Sequence, residues 1–515
     1  MVETMSNEKQ AEAPRPITPQ LLASRITRAR DIMRKDKGLN GDLDRLPMLT
    51  WIMFLKFLDD LEYQGEAEAR LSGGKFRPAL DTPYRWRDWA SNARGITGDE
   101  LLAFINQDEC TRPDGSRGMG LFAYLRSLTS SNGDDRRDVI STVYKGVDNR
   151  MKSGYLLRDV INEIGGIHFT SSEELHTLGA VYEGLLREMR DAAGDSGEFY
   201  TPRPVVRFMV HALNPRLGET VLDPASGTGG FLVEAFRHLS EQVRNVSDRE
   251  TLQKQSLYGC EPKSLPYLLC QMNLLLHGLD SPQIDSGNAL RFKLNELGDK
   301  DRFDLILTNP PFGGEEEKGI QASFPEDRQT SETALLFLQL IMRRLRRTPK
   351  PGRAAVIVPN GILSGEGVGA RIKEDLLTHF NLHTIVRLPT GVFAPYTPIP
   401  TNILFFDRSG PSKDVWFYEV AVPDGRKTFT KTRPIQWEDF QPCIDWWSNR
   451  KTGDWAWKIP AQEILSTGAN LDRSNPRLDR TLESRSLEEI TGSIIDKEER
   501  IAAIAEHIRK LAKSK

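Results

Sequence analysis

The sequence predicts an α/β protein built on a doubly wound sheet, with an α-helical domain before it and a helical tail after it. Three observations carry this expectation. Short β-rich runs at 219–222, 256–259, 303–308, 354–358, 384–388 and 402–406 are joined, across the first four, by helical stretches at 230–240, 263–276 and 331–347. That alternation is the mark of βαβ units and a parallel sheet. A glycine-rich turn follows the first run and opens a helix. The regions on both sides of this alternation carry helical rather than strand periodicity.

Composition narrows the class. At 515 residues the chain has room for two to four domains. With glycine counted and tyrosine left out, the apolar fraction is about 44%, near the ~45–50% of globular proteins. The longest dense apolar stretch, 334–342, is far short of the ~20 residues of a membrane span. The first sixteen residues lack the apolar core of a signal peptide. Cys110, Cys260, Cys270 and Cys443 are scattered, with no CxxC pair to suggest a disulfide framework or a metal site. A soluble cytoplasmic protein without membrane or metal is expected. The formal charge of −3 neither requires nor excludes nucleic acid, since a local basic face suffices for phosphate contact.

In chain order, 1–17 is polar and aperiodic and is expected to be disordered. An α-helical domain is expected over 18–165, where Trp51, Ile52, Phe54, Leu55, Phe57, Leu58 and Leu61 form an apolar stripe. Asp59, Asp60 and Glu62 are placed on its exposed side, and the polar clusters at 114–120 and 130–135 break the region into short helices. A catalytic domain is expected over 166–470, opening with a helix at 173–190. Beyond Pro411 a small irregular extension is expected. Over 471–515 two interleaved heptad series, Leu487/Ile494/Ile501/Ile508 and Ile490/Lys497/Ile504/Leu511, signal a coiled-coil-like tail for subunit contact.

Three motifs carry chemistry. The turn from Val221 to Gly230 reads VLDPASGTGG, and its glycines let backbone approach a ligand while Asp223 offers a carboxylate. It is not a Walker loop, because no Lys-Ser/Thr follows the glycines. Glu261 directly follows the second run, where an acidic residue typically meets ribose hydroxyls. Asn309, Pro310, Pro311 and Phe312 directly follow the third run. The prolines offer no N–H, so the segment presents acceptors, the Asn309 side-chain oxygen and the Pro310 carbonyl. Two acceptors at a strand tip suit both hydrogens of an exocyclic amino group, and Phe312 offers a face for a planar base. The arginines at 343–353 suit either phosphate contact or a solvated helix end.

DPASGTGG, GCE and TNPPF, in this order and spacing, resemble the adenine-N6 DNA methyltransferases that use S-adenosylmethionine. The segment 197–203 (GEFYTPR), the stretches around 46–60, 178–186 and 394–406, and 470–476 (NLDRSNP) are similar to the modification subunits of type I restriction–modification systems. The resemblance spans nearly the whole chain and implies a Rossmann-like methyltransferase core. It implies that Glu198, Phe199, Tyr200, Thr201, Pro202 and Arg203, with Asp223, Ser226, Gly227, Thr228, Gly229 and Gly230, hold the methionine end of the cofactor. Glu261 would hold its ribose, and Asn309, Pro310 and Phe312 the target adenine. Where many relatives carry an Asp for the cofactor's own adenine, this chain has Asn288, with Asp285 close enough to compete.

The 109 residues after Phe406 hold no evident DNA-reading domain. The resemblance therefore implies double-stranded DNA as substrate, a separate specificity subunit, a second copy of this chain and a restriction subunit as partners. Two other readings stand beside it. One is a self-sufficient adenine methyltransferase of another defence system, which would methylate DNA alone. The other is a non-catalytic DNA- or cofactor-binding assembly subunit, against which the intact Asn309–Phe312 motif argues.

Overall fold

The computed structural model describes residues 19–74, 76–129, 136–168, 201–394, 397, 399–423, 425–426, 428–477, 491 and 498. The expected disordered start, the helix at 173–190 and nearly all of the heptad tail lie outside them. A two-stranded hairpin, β1 (Glu109–Thr111) and β2 (Arg117–Met119), sits among the N-terminal helices. The main sheet has nine strands: β3 (Val221–Asp223), β4 (Leu257–Cys260), β5 (Gln283–Asp285), β6 (Leu305–Thr308), β7 (Arg353–Pro359), β8 (Asn381–Arg387), β9 (Thr401–Asp407), β10 (Asp414–Glu419) and β11 (Ala456–Pro460).

Their spatial order is β11-β10-β8-β9-β7-β6-β3-β4-β5. From β5 to β7 every pairing is parallel. β9 is inserted antiparallel between β7 and β8, and β11 closes the far edge antiparallel to β10. The sheet is therefore mixed, not purely parallel as the alternation alone predicts. The chain runs outward through β4 and β5, returns to β6 beside β3, and then builds the other half. The carboxyl ends of β3 and β6 thus flank the switch point where ligands of doubly wound sheets bind.

Alternate residues along each strand face opposite layers, as a period of two requires. Val221, Leu305, Leu307, Ala355, Ile357, Ile403 and Phe405 pack into one core with helices Arg203–Leu213, Gly230–Ser240 and Ser264–Leu276. Leu222, Ile306, Ala354, Val356, Val358, Leu404 and Phe406 pack into the other, against helices Thr333–Arg344 and Val368–His379. The N-terminal helices join the first core. Phe57, Leu58 and Leu61 of helix Asp42–Ser72 share a small apolar cavity wall with Leu275 and Pro282.

Several local expectations are corrected. Asp59 and Glu62 are buried rather than exposed, at 6% and 1%. Helix Asp42–Ser72 is covered on both sides, and the acids are retained by partners. Arg87 Nε donates to Asp59 Oδ1 at 2.8 Å, and the Ala79 N–H donates to Glu62. The Asp114-Gly115 signal does separate two short helices, Gly98–Asn106 and Leu121–Ser127, but it does so as the β1–β2 turn, where Asp114 Oδ1 accepts the Ser116 N–H. Beyond Pro411 the chain adds two strands to the sheet, β10 parallel to β8 with Trp416 opposite Thr384, and β11 antiparallel to β10. Arg343 donates to the carbonyls of Leu294 and Leu297, and Arg346 to that of Arg302. Both lie near the start of β6, away from the carboxyl ends of the parallel strands. Among the described residues no helix is long and apolar enough to cross a membrane.

Candidate active site at the carboxyl ends of the parallel strands

β3 ends at Asp223, and the loop that follows is tied to the end of β4. The Ser226 N–H and hydroxyl both donate to the Cys260 carbonyl at 2.9 Å, and the Gly227 N–H donates to Glu261 Oε2 at 3.0 Å. Glu261 Oε1 accepts the Lys263 N–H at 2.9 Å. Gly229 caps helix Gly230–Ser240 at φ +80°, a conformation that favours glycine, and a Cβ there would meet Cys270 Sγ at 2.9 Å. Gly230 lets Arg203 lie close, since a Cβ would fall 2.4 Å from its Nη1.

Asp223 is fully buried, and burial pushes its carboxyl up to about 7, with the nearby Glu261 charge adding to the rise. Thr308 and the Ala225 N–H oppose that shift. Asp223 Oδ1 accepts the Ala225 N–H at 3.1 Å, while Oδ2 has no well-formed hydrogen bond. An unpaired, buried carboxylate oxygen beside a glycine loop fits a cationic ligand group.

Asn309 leaves the tip of β6. Its Nδ2 donates to Thr201 Oγ1 at 3.1 Å, and its Oδ1 is buried without a partner. Pro310 is buried, and Phe312 meets Phe393 edge-on with ring centroids 6.4 Å apart. Phe393 belongs to none of the sequence motifs. Its signal is an aromatic just after the Gly391 turn that follows β8.

The structure gathers Thr201, Arg203, Asp223, Ser226, Gly227, Thr228, Gly230 and Asn309 around one cleft. Pro202 caps helix Arg203–Leu213 at its edge. Glu198, Phe199 and Tyr200 lie outside the described residues. Asp285 forms an ion pair with Arg291 and accepts the Gly287 N–H. Asn288 Oδ1 caps the following turn through the Leu290 N–H at 2.9 Å, and its Nδ2 points toward Glu316 Oε2 at 3.5 Å. Both candidates for the cofactor adenine are thus already engaged locally. A cavity of about 490 Å³ lies along edge strand β5 and is lined in part by Tyr258, Gln271, Asp285 and Arg344, apart from the glycine loop.

The segment 470–476 docks on the same end of the sheet. Asp472 accepts from Arg387 at 2.8 Å and from Asn360 at 3.2 Å, and the Arg473 carbonyl accepts from Arg387 at 2.7 Å. This links the ends of β7 and β8 to the chain that leaves the sheet. Among the described residues no group of three or more His, Cys, Asp or Glu could hold a metal ion.

The chain matches the N-6 DNA Methylase family over residues 173–484 and the HsdM N-terminal domain over 22–164. It is 46% identical over 471 residues to the Type I restriction enzyme EcoEI methylase subunit of Escherichia coli, covering 90% of this chain and 91% of that protein. Among solved structures it is similar to a modification subunit of a putative type I restriction enzyme from Vibrio vulnificus YJ016, with 65% identity and a TM-score of 0.84. That likeness covers 92% of this chain and all of the other. A second structure, from work on complex assembly and conformational transition of the type I R-M system, is 38% identical with a TM-score of 0.78, covering 97% and 100% of the two chains. With the glycine loop, Glu261 and the Asn309 motif at one switch point, the chain belongs to the N-6 DNA methylase family, among the modification subunits of type I restriction–modification systems.

Proposed function

We infer that this chain transfers a methyl group from S-adenosylmethionine to N6 of an adenine in DNA, within a type I complex whose separate specificity subunit reads the site. The observation that carries this reading is the buried, unpaired Asn309 Oδ1 at the tip of β6, in the same cleft as the glycine loop. A buried acceptor without a donor costs about 1–3 kcal/mol, so it marks a place where a ligand donor belongs.

The cleft suits the cofactor. Asp223 and Glu261 offer negative charge, Arg203 sits at the start of helix Gly230–Ser240, and the glycines leave backbone close to the cleft. S-adenosylmethionine supplies, when bound, an electrophilic methyl group on a sulfonium. The adenine N6 lone pair is delocalised into the ring and is a poor nucleophile. Asn309 Oδ1 and the Pro310 carbonyl accept hydrogen bonds from its two N–H groups, favouring a more tetrahedral nitrogen and stabilising the developing positive charge. Phe312 offers an aromatic face to the base. Because N6 is paired in duplex DNA, the adenine must leave the stack to reach these groups.

The relatives are named as methylase or modification subunits, which supports partners that supply recognition. The heptad tail is the proposed contact, with helices of the specificity subunit or a second copy of this chain on its apolar seam. A restriction subunit completes the proposed assembly. Deleting 485–515 should leave cofactor binding intact and abolish co-purification with the partner. The whole reading is tested by modification-aware sequencing of DNA from cells expressing this chain with and without its specificity partner. N6-methyladenine at one sequence motif, only when both are present, is expected. Methylation by this chain alone would overturn the division of labour.

A further inference from the structure

We propose that Thr201 is a positioning residue that fixes the Asn309 carboxamide with its oxygen toward the target base. The inference rests on the reading of Asn309 as an acceptor for the adenine amino group. A terminal carboxamide torsion is broad and roughly two-fold, so the rotamer well alone does not decide which end faces a ligand. The choice matters here. Turned by half a rotation, Asn309 would present its own NH₂ to the adenine NH₂, donor against donor.

In this structure Asn309 Nδ2 donates to Thr201 Oγ1 at 3.1 Å, across 108 residues of sequence, and Oδ1 is left buried and unpaired. The Thr201 hydroxyl is therefore used as an acceptor, which pins the nitrogen and leaves the oxygen available. Thr201 is well suited to hold still. Its β-branched side chain is stiff at χ1. Pro202 follows it, biasing its backbone to an extended conformation and capping helix Arg203–Leu213. One residue further on, Arg203 lies against Gly230 at the glycine loop. The tripeptide 201–203 thus touches the cofactor cleft with Arg203 and the base acceptor with Thr201. The side-chain oxygen of Thr201 belongs to the second task, although the sequence resemblance groups the whole segment with the first.

The test uses the complex assembled with its specificity partner and a duplex carrying the motif identified by sequencing. Single-turnover methyl transfer and calorimetric binding of S-adenosylmethionine are measured for Thr201→Val, Thr201→Ser, Asn309→Ala and the Thr201→Val/Asn309→Ala double variant. Losing one neutral hydrogen bond should slow transfer by Thr201→Val about tenfold. Cofactor affinity should stay within about twofold. Thr201→Ser, which keeps the acceptor, should restore most of the rate. In the Asn309→Ala background Thr201→Val should cost nothing further. Two results would overturn the proposal: a loss of cofactor affinity by Thr201→Val that accounts for its lost rate, or equal fold-losses with and without Asn309. An Asn309→Ala variant with a normal rate would instead sink the acceptor reading itself.

Discussion

Replacing Asp223 by Asn probes the electrostatics of the cleft directly. Burial pushes the wild-type carboxyl up to about 7, against a usual value of 3.8. Moving the carboxyl from 3.8 to about 7 corresponds to roughly 4 kcal/mol between its two protonation states. The sign follows from the direction. The folded protein holds this proton up to about pH 7, while the unfolded chain releases it near pH 4. The Asp223 contribution is therefore fully present below about pH 4 and is lost as pH rises toward 7, at up to about 1.4 kcal/mol per unit. The ligand-free Asn variant lacks this dependence. Its melting temperature relative to wild type should rise between pH 5 and 7 and level off above. Cofactor binding should show the converse linkage. A cationic ligand favours the carboxylate, so binding to wild type should release protons at pH 6, seen by calorimetry in buffers of different ionisation enthalpy. The Asn variant should bind more weakly and release fewer. Parallel melting curves across pH for the two proteins would refute the placement of a neutral, buried Asp223 in the free site.

Two further substitutions test the frame that positions these groups. Gly229→Ala forces an L side chain to φ +80° with its Cβ 2.9 Å from Cys270 Sγ. It should cost on the order of 1–3 kcal/mol and weaken cofactor binding, read by thermal melting and calorimetry. Arg353 grips both Glu219 oxygens at 2.9 Å and the carbonyls of Leu213 and Asn214. Arg353→Met should cost about 2–3 kcal/mol and lower the melting temperature, while leaving the cofactor affinity of the folded protein unchanged.

What was legible in the sequence were the features that are local along the chain. β6 and the Asn309 motif are contiguous, as are β3 and the glycine loop, so a strand, its turn and its chemistry are read in a single window. β7 and β9 are long apolar runs and were placed within a residue or two, but their antiparallel pairing depends on distant chain and was not legible. β5 has three residues with only Ile284 buried, too short to register as a period. β10 buries Val415, Phe417 and Tyr418 without a clean alternation, and the turn residues around it make the segment look irregular in sequence. For Asp59 and Glu62 charge alone suggests solvent, whereas Arg87 and the Ala79 N–H make burial tolerable. In the site, the types of the groups were readable, but their partners were not. The Thr201–Asn309 hydrogen bond, the local engagement of Asn288 and the meeting of Phe312 with Phe393 all join residues that only the folded chain brings together.

The central claim is that an acceptor at the tip of β6 activates the adenine amino group. The most direct measurement compares single-turnover transfer of a labelled methyl group to duplex DNA by the wild-type complex and by Asn309→Ala, with cofactor affinity measured on the same preparations. The account predicts a loss of transfer on the order of 10²-fold or more with cofactor affinity nearly unchanged. Transfer at the wild-type rate would contradict it.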